Sequence, residues 1–205
     1  MNETITYYNQ NAEEYFNNTV NVSMQELYDQ FEAYLKPGDK ILDLGCGSGR
    51  DSRYFLSKGY DVVSVDGSKE MCRLAGNYIG RDVCNITFEE LDYNNEFNAV
   101  WACASLVHVE IGEITGVLCK IQKLLKKKGI LYASWKYGTG ERIDNQKYYA
   151  DYDSNFNQLS SKKLGKLEFK HKIVSTKKKK GKWTIKVKRG KGSYYYFKTS
   201  ANDKK

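Results

Sequence analysis

What the chain lacks narrows its class first. No stretch approaches the roughly 20 consecutive apolar residues that span a bilayer, so a membrane bundle is excluded and any substrate is met in solution or at a surface. Proline occurs once, at Pro37, and the 17 glycines follow no period, which rules out a collagen-like fibre. A hydrophobic fraction of 40% is too high for a wholly disordered chain. Five cysteines, Cys46, Cys72, Cys84, Cys103 and Cys119, are odd in number and show no CxxC or other metal-ligand spacing; a reduced, cytoplasmic setting fits them, and no metal site is expected. The opening residues MNETITYYNQNAEEYF have neither the basic n-region nor the apolar core of a secretory signal.

What is there suits one compact core, since 205 residues need no disulfide or metal staple. The net charge of +8 conceals a division. Residues 1–161 hold 16 Lys/Arg against 23 Asp/Glu, a net of −7, whereas residues 162–205 hold 17 against 2, a net of +15. The reading is an acidic body and a basic C-terminal segment that completes the same domain or is appended to it. Charge asymmetry of this kind marks either a polyanion-binding tail or a solvated surface.

Periodicity gives the elements. Leu27, Phe31, Tyr34 and Leu35 recur at helical spacing, so the span from Asn11 to Leu35 reads as one or two amphipathic helices, ended by Pro37-Gly38. Strands are expected at Lys40–Leu44, Tyr60–Val65, Ile86–Phe88, Asn98–Cys103 and Gly129–Trp135, with helices at Arg50–Lys58, Ser68–Ile79 and Gly112–Leu125 between them. Repeated βαβ units imply a Rossmann-like, doubly wound α/β sheet, mostly parallel, with ligands beyond the carboxyl ends of its strands. Lys136 to Asp153 is polar, rich in Gly and Tyr, and reads as a functional loop over those ends. A short helix is expected within Asn155 to Leu164. Beyond it, Leu167, Phe169, His171 and Ile173, then Trp183, Ile185 and Val187, alternate with polar residues, and Tyr194 to Phe197 forms a further apolar run. Antiparallel C-terminal edge strands follow from this alternation, which favours a basic hairpin over a disordered tail or a shifted reading frame.

The chemistry resides in a strand that opens straight into Gly45-Cys46-Gly47-Ser48-Gly49. A glycine turn between strand and helix lets backbone approach a ligand closely, because no Cβ intervenes. The spacing is GxGxG, not the GxGxxG of the dinucleotide fingerprint, and no Lys-Ser/Thr pair makes a P-loop. Asp43 suits an amino end of a ligand better than a pyrophosphate. Asp66 ends the second strand 21 positions after Gly45, where a carboxylate accepts both hydroxyls of a ribose. Asp92, after the third strand, is placed to accept from an exocyclic amine of a base.

These residues resemble the class I S-adenosylmethionine-dependent methyltransferases, through ILDLGCGSGRDSRYF, VVSVDGSKEM, FEELDYNN and AVWACASLVHV in that order, with GILYASWKYGTGER similar to small bacterial members near the tellurite-resistance group. The resemblance covers about Tyr7 to Tyr152. It implies S-adenosylmethionine as cofactor, Gly45, Cys46 (by its backbone) and Gly47 along the methionine moiety, and Asp43 near its ammonium group. It further implies Asp66 on the ribose, Gly67 and Met71 beside the adenine, Asp92 and Tyr93 at its edge, and Cys103 and Ala104 closing the methionine side. Tyr7, Tyr8 and Tyr15 form a lid on this reading. His108, just after the fourth strand, is the candidate general base, against the alternative of a packed or capping histidine. The LKKKG of Leu125 to Gly129 and the lysine-dense ending depart from the family's pattern. The implied activity is methyl transfer to a small-molecule acceptor. Alternatives are methylation of RNA or another polyanion guided by the basic ending, and a non-catalytic nucleic-acid-binding protein on a vestigial cofactor fold.

Overall fold

A computed structural model of the chain describes residues 2–136, 138–152, 167–171, 175–179, 182–186 and 193–199. Three helices come first: α1 (Asn2–Gln10), α2 (Ala12–Thr19) and α3 (Gln25–Glu32). The last two are the amphipathic pair that the periodicity predicts, and α3 buries Leu27, Tyr28 and Phe31.

The sheet then follows as β1 (Lys40–Leu44), β2 (Asp61–Asp66), β3 (Cys84–Asn85), β4 (Phe97–Ala102) and β5 (Leu125–Trp135). Between these strands lie α4 (Arg50–Ser57), α5 (Lys69–Ile79) and α6 (Ile114–Leu124). A short 3-10 turn, Leu106–His108, follows β4. After β5 come β6 (Gly140–Asp144), β7 (Lys147–Asp151), β8 (Leu167–His171), β9 (Ser175–Lys179), β10 (Lys182–Lys186) and β11 (Ser193–Thr199).

Seven strands form one sheet in the order β3-β2-β1-β4-β5-β11-β8. β1 runs parallel to β2 and β4, β2 to β3 and β4 to β5. β11 is antiparallel to both β5 and β8, so the parallel sheet with antiparallel C-terminal strands is as the sequence implies. β1 is aliphatic on both sides, as a strand covered on both faces must be. Leu42, Leu44, Val100, Ala102, Leu131 and Ala133 pack with Ile114, Leu118 and Ile121 of α6 in one core cluster. Ile41, Ala99, Trp101, Ile130 and Tyr132 pack with Phe31 and Phe55 in the other. The alternation along each strand is the period of two that assigns neighbours to opposite faces. The chain builds β1 to β3 outward, then returns to place β4 on the other side of β1. That reversal opens a crevice at the carboxyl ends of β1 and β4.

Three expectations are corrected. The third strand is Cys84–Asn85 rather than Ile86–Phe88: Cys84 and Asn85 align with Val65 and Asp66 at the end of β2, and the chain then leaves the sheet. β5 begins directly after α6, at Leu125 rather than Gly129, and absorbs the lysine run through a register shift against β4 between Phe97 and Ala99. The expected loop between Lys136 and Asp153 contains an antiparallel hairpin, β6–β7, turning at Asn145 and Gln146 with φ of 48° and 63°. The short helix expected within residues 155–164 lies outside the described residues, as do Ile173 and Val187.

Candidate cofactor and methyl-transfer site

The glycine turn is shaped by backbone conformation and by one close approach. Gly45, Gly47 and Gly49 have φ of 74°, 54° and 75°, a left-handed region that other residues enter at a cost. A Cβ on Gly45 would stand 2.4 Å from Ser105 Cβ. Ser105 is held there by donating its hydroxyl to the Leu44 carbonyl at 2.6 Å, which ties the end of β4 to the end of β1. Four amides of the turn are spent inside the protein: Gly45 and Cys46 donate to Val65 O at 2.9 and 3.0 Å, and Gly47 donates to Asp66 Oδ2 at 2.9 Å. Gly49 donates to Cys46 O. Those amides are thus not available as a phosphate cradle, in keeping with the missing P-loop residues.

Asp66 sits where β2 meets α5. Its Oδ1 accepts from Ser68 N at 2.8 Å while Oδ2 takes the Gly47 amide. Burial raises its pKa, against the pull of those two amides. Each carboxylate oxygen has two lone pairs, so acceptor capacity remains on an oriented group that forms part of a cavity wall. Ser68 also caps α5, accepting from Met71 N at 3.2 Å, and thereby seats Met71 in the same wall.

That cavity lies over the glycine turn, walled by Leu44, Gly45, Val65 and Asp66. Of the residues singled out from the sequence, the structure brings together Tyr8, Tyr15, Gly45, Gly47, Asp66, Gly67, Met71, Cys103, Ala104 and His108 around it. Tyr7, Asp43, Cys46, Asp92 and Tyr93 stand outside the lining. Asp43 is buried under the turn, where Ser52 Oγ donates to it at 2.5 Å; burial and the neighbouring Asp51 push its pKa up to about 8. Cys46 is buried, its thiol pushed up by desolvation. Asp92 is exposed, and Tyr93 packs edge-on against Phe97 at 5.1 Å. Sequence reasoning missed Thr4, Ile5, Ser68, Thr87 and Ser105, together with the lining role of Ile86 and Phe88.

A roof is supplied by α1 and α2. Tyr8 and Tyr15 meet edge-to-face at 5.0 Å, and Tyr15 lies 3.3 Å from where a Cβ on Gly47 would be. Three hydrogen-bonded anchors hold α1 down. Asn9 Oδ1 accepts from Ser68 Oγ at 2.7 Å and from Glu70 N at 3.2 Å. Thr4 Oγ1 accepts from Tyr148 N of β7 at 3.0 Å. Tyr8 OH and His108 Nε2 are 3.0 Å apart. His108 is held neutral at physiological pH, its pKa lowered to about 4 chiefly by burial, with Lys147 and Lys136 adding to the effect.

Beneath the glycine turn, Arg50 grips Asp51 through Nε at 2.6 Å and Nη2 at 2.9 Å. Trp101 Nε1 also donates to Asp51 at 2.8 Å, as does the Tyr28 hydroxyl. This satisfied pair fixes the start of α4 against β4 and α3. Arg50 Nη2 reaches to 3.9 Å from Cys103 Sγ in the cavity wall.

Residues 41–129 match a family described as a methyltransferase domain. Curated relatives include an uncharacterized methyltransferase of Synechocystis sp., 28% identical over 55% of this chain and 55% of its own length. Phosphoethanolamine N-methyltransferase of Triticum aestivum is 34% identical over 37% of this chain and 16% of its own. The chain therefore spans about half the length of the first relative and a small part of the second. Among solved structures, 1,6-didemethyltoxoflavin-N1-methyltransferase of Burkholderia thailandensis, with bound 1,6-didemethyltoxoflavin and S-adenosylhomocysteine, has a TM-score of 0.64 at 21% identity, covering 95% of this chain and 83% of that one. At that identity the likeness is one of fold. From β1 into β5 the chain is similar to the methyltransferase domain family, and its fold is like that of the solved methyltransferase.

Proposed function

We propose that the chain is an S-adenosylmethionine-dependent methyltransferase acting on a small-molecule acceptor. The observation that carries the reading is Asp66: a carboxylate oriented by the Gly47 and Ser68 amides in the wall of a cavity at the strand reversal. The cavity fits the cofactor by its chemistry, since it joins a glycine turn with spent amides to an oriented acceptor and an apolar stretch of Val65, Met71, Ile86 and Phe88.

When bound, S-adenosylmethionine supplies a methyl group on a sulfonium sulfur. Asp66 holds the ribose diol, Met71 and Gly67 flank the base, and Gly45, Gly47, Cys103 and Ala104 line the methionine end. Tyr8 and Tyr15 cover that end and exclude water, which is most of what a protein contributes when the cofactor carries the hard chemistry. Asp43 and Cys46 support the turn from below. The placement of Asp92 and Tyr93 outside the lining supports assigning the base edge to Ile86, Thr87 and Phe88 instead. We assign the enzyme to a reducing cytoplasm on its cysteine pattern, and no helix among the described residues is long and apolar enough to cross a membrane.

The basic ending, net +15 over residues 162–205, favours one second reading, methylation of RNA. The deciding experiment is transfer of labelled methyl from S-adenosylmethionine into pooled small metabolites and, separately, total RNA. Label in the small-molecule fraction supports the first reading and label in RNA the second. Nucleic-acid binding with no transfer to either fraction leaves the vestigial fold.

A further inference from the structure

The roof of the cavity contains a chain of hydrogen bonds whose direction follows atom by atom. His108 Nδ1 lies 2.7 Å from the Tyr148 carbonyl oxygen, which can only accept, so Nδ1 carries the proton. A neutral imidazole with its proton on Nδ1 has a bare acceptor at Nε2. The Tyr8 hydroxyl, 3.0 Å away, therefore donates to Nε2. A phenol has one proton to give. With that proton committed to His108, the oxygen of Tyr8 is left as an acceptor alone.

Tyr8 and His108 both line the cavity, with Tyr15, Gly45, Gly47 and Cys103. Tyr8 is locked from several sides: Tyr15 meets its ring at 5.0 Å, Tyr7 at 5.7 Å and His108 at 5.5 Å. Burial also raises its pKa, so it stays a neutral phenol. His108 is fixed in turn by the Tyr148 carbonyl and by Tyr149, whose ring stands 4.9 Å away.

We propose that the Tyr8 hydroxyl oxygen reads the methyl acceptor by taking a hydrogen bond from its N–H or O–H, and that His108 is a positioning residue that fixes Tyr8 in this role. The acceptor class is then an amine, an N–H heterocycle or a hydroxyl compound. A carboxylate or thioether offers no donor, and its lone pairs would oppose those of Tyr8. This inference rests on the cofactor site proposed above, and it assigns the contact with the acceptor to Tyr8 instead of His108.

The test needs no knowledge of the acceptor. Sinefungin carries an amine-bearing carbon in place of the S-methyl sulfonium and so presents N–H donors where the methyl group would be; S-adenosylhomocysteine lacks that group. Affinities for both are measured by calorimetry on the full chain and on Tyr8→Phe, His108→Gln and His108→Leu. Expected is a loss of sinefungin affinity in Tyr8→Phe of about tenfold or more, as for a hydrogen bond with a charged partner, with S-adenosylhomocysteine within about threefold. His108→Gln, which keeps an acceptor near the Nε2 position, should retain the wild-type ratio of the two affinities, and His108→Leu should lose it. A purely structural role would lower both affinities together and leave the ratio unmoved, which overturns the inference while the cofactor site stands. If S-adenosylhomocysteine fails to bind the wild-type chain, the cofactor site falls and the inference falls with it.

Discussion

Replacing Asp66 separates two duties that the structure gives to one carboxylate. Toward the protein it accepts the Gly47 amide at 2.9 Å and the Ser68 amide at 2.8 Å, joining the glycine turn to the start of α5. Toward the cavity it offers its remaining lone pairs. In Asp66→Ala both amides lose their acceptor, at ~1–3 kcal/mol each when left unsatisfied. That loss is offset in part by removing a buried charge, and the open cavity admits water to the orphaned groups. A net destabilisation of about 1–2 kcal/mol is expected. The ligand side has no such offset: two hydroxyls lose bonds to a charged acceptor, each worth ~1.5 kcal/mol or more, so affinity for S-adenosylhomocysteine should fall roughly a hundredfold. Asp66→Asn should be nearly as damaging, because its NH₂ must confront one of the two amide donors. Calorimetry measures the affinity and a thermal melt confirms the fold, with Cys119→Ser on α6, outside the cavity lining, as the control. Since burial raises the Asp66 pKa, binding should weaken on acidification at a higher pH than for an ordinary carboxylate. A folded Asp66→Ala protein that binds within twofold of wild type would end the ribose assignment.

The elements that could be read from the sequence are those whose signal is local. β1, the glycine turn and α4 are adjacent in the chain, and an apolar run, three glycines and an amphipathic segment specify them without tertiary information. Asp66 was legible for the same reason, because it terminates a strand of regular alternation. The β6–β7 hairpin was not. Its two-residue turn needs positive φ at both positions, and the chain supplies Asn145-Gln146 where Asn-Gly is the familiar signal. Lys136, Arg142 and Lys147 in and beside it lie 4.1 Å from the Tyr149 ring, 4.4 Å from the same ring and 4.2 Å from the Tyr7 ring, respectively, contacts that no local pattern announces.

The missed site residues share a different cause. Ser105 matters because its Cβ faces Gly45 from 60 positions away, and Thr4 because its hydroxyl meets the amide of Tyr148. Neither contact leaves a trace in spacing. Ile86 and Phe88 carried the alternation of a strand, but the sheet edge holds only Cys84 and Asn85, so their side chains turn to the cavity instead. Asp43 shows the opposite failure. Its position beside the glycines marked it as a ligand-facing acid, whereas the strand period turns it into the bed of the turn, toward Ser52.

Gly45→Ala should cost more than the ~1–2 kcal/mol of a left-handed backbone alone, because the new methyl meets Ser105 Cβ at 2.4 Å; in denaturant melts Gly45→Ala/Ser105→Gly should recover part of the loss, and no recovery would mean that contact is not the cause. Asp43 keeps its proton to about pH 8 in the folded chain but releases it near 3.8 when unfolded, so between these values the native state binds more protons and stability falls as pH rises, by at most ~1.4 kcal/mol per unit. Asp43→Asn should remove that slope, and a wild type that gains on it between pH 5 and 8 would contradict the assignment. The last prediction concerns truncation after Ser161. The described cavity lining runs from Thr4 to His108, and screened charges act over only about 8 Å at physiological salt. Yet β11 pairs with β5 from Trp135 to Ile130, so its removal bares the edge of a central strand whose side chains are buried, and unpaired edges invite association. The truncated chain should therefore melt earlier and aggregate more readily, while its monomeric, folded fraction binds S-adenosylhomocysteine within about tenfold of the full chain, a difference of ~1.4 kcal/mol. A truncated monomer with native far-UV dichroism and no cofactor binding would mean that β5, once unpaired, no longer holds Ser134 against the Ala104 amide, a bond of 2.7 Å, and that the basic strands build the pocket from behind.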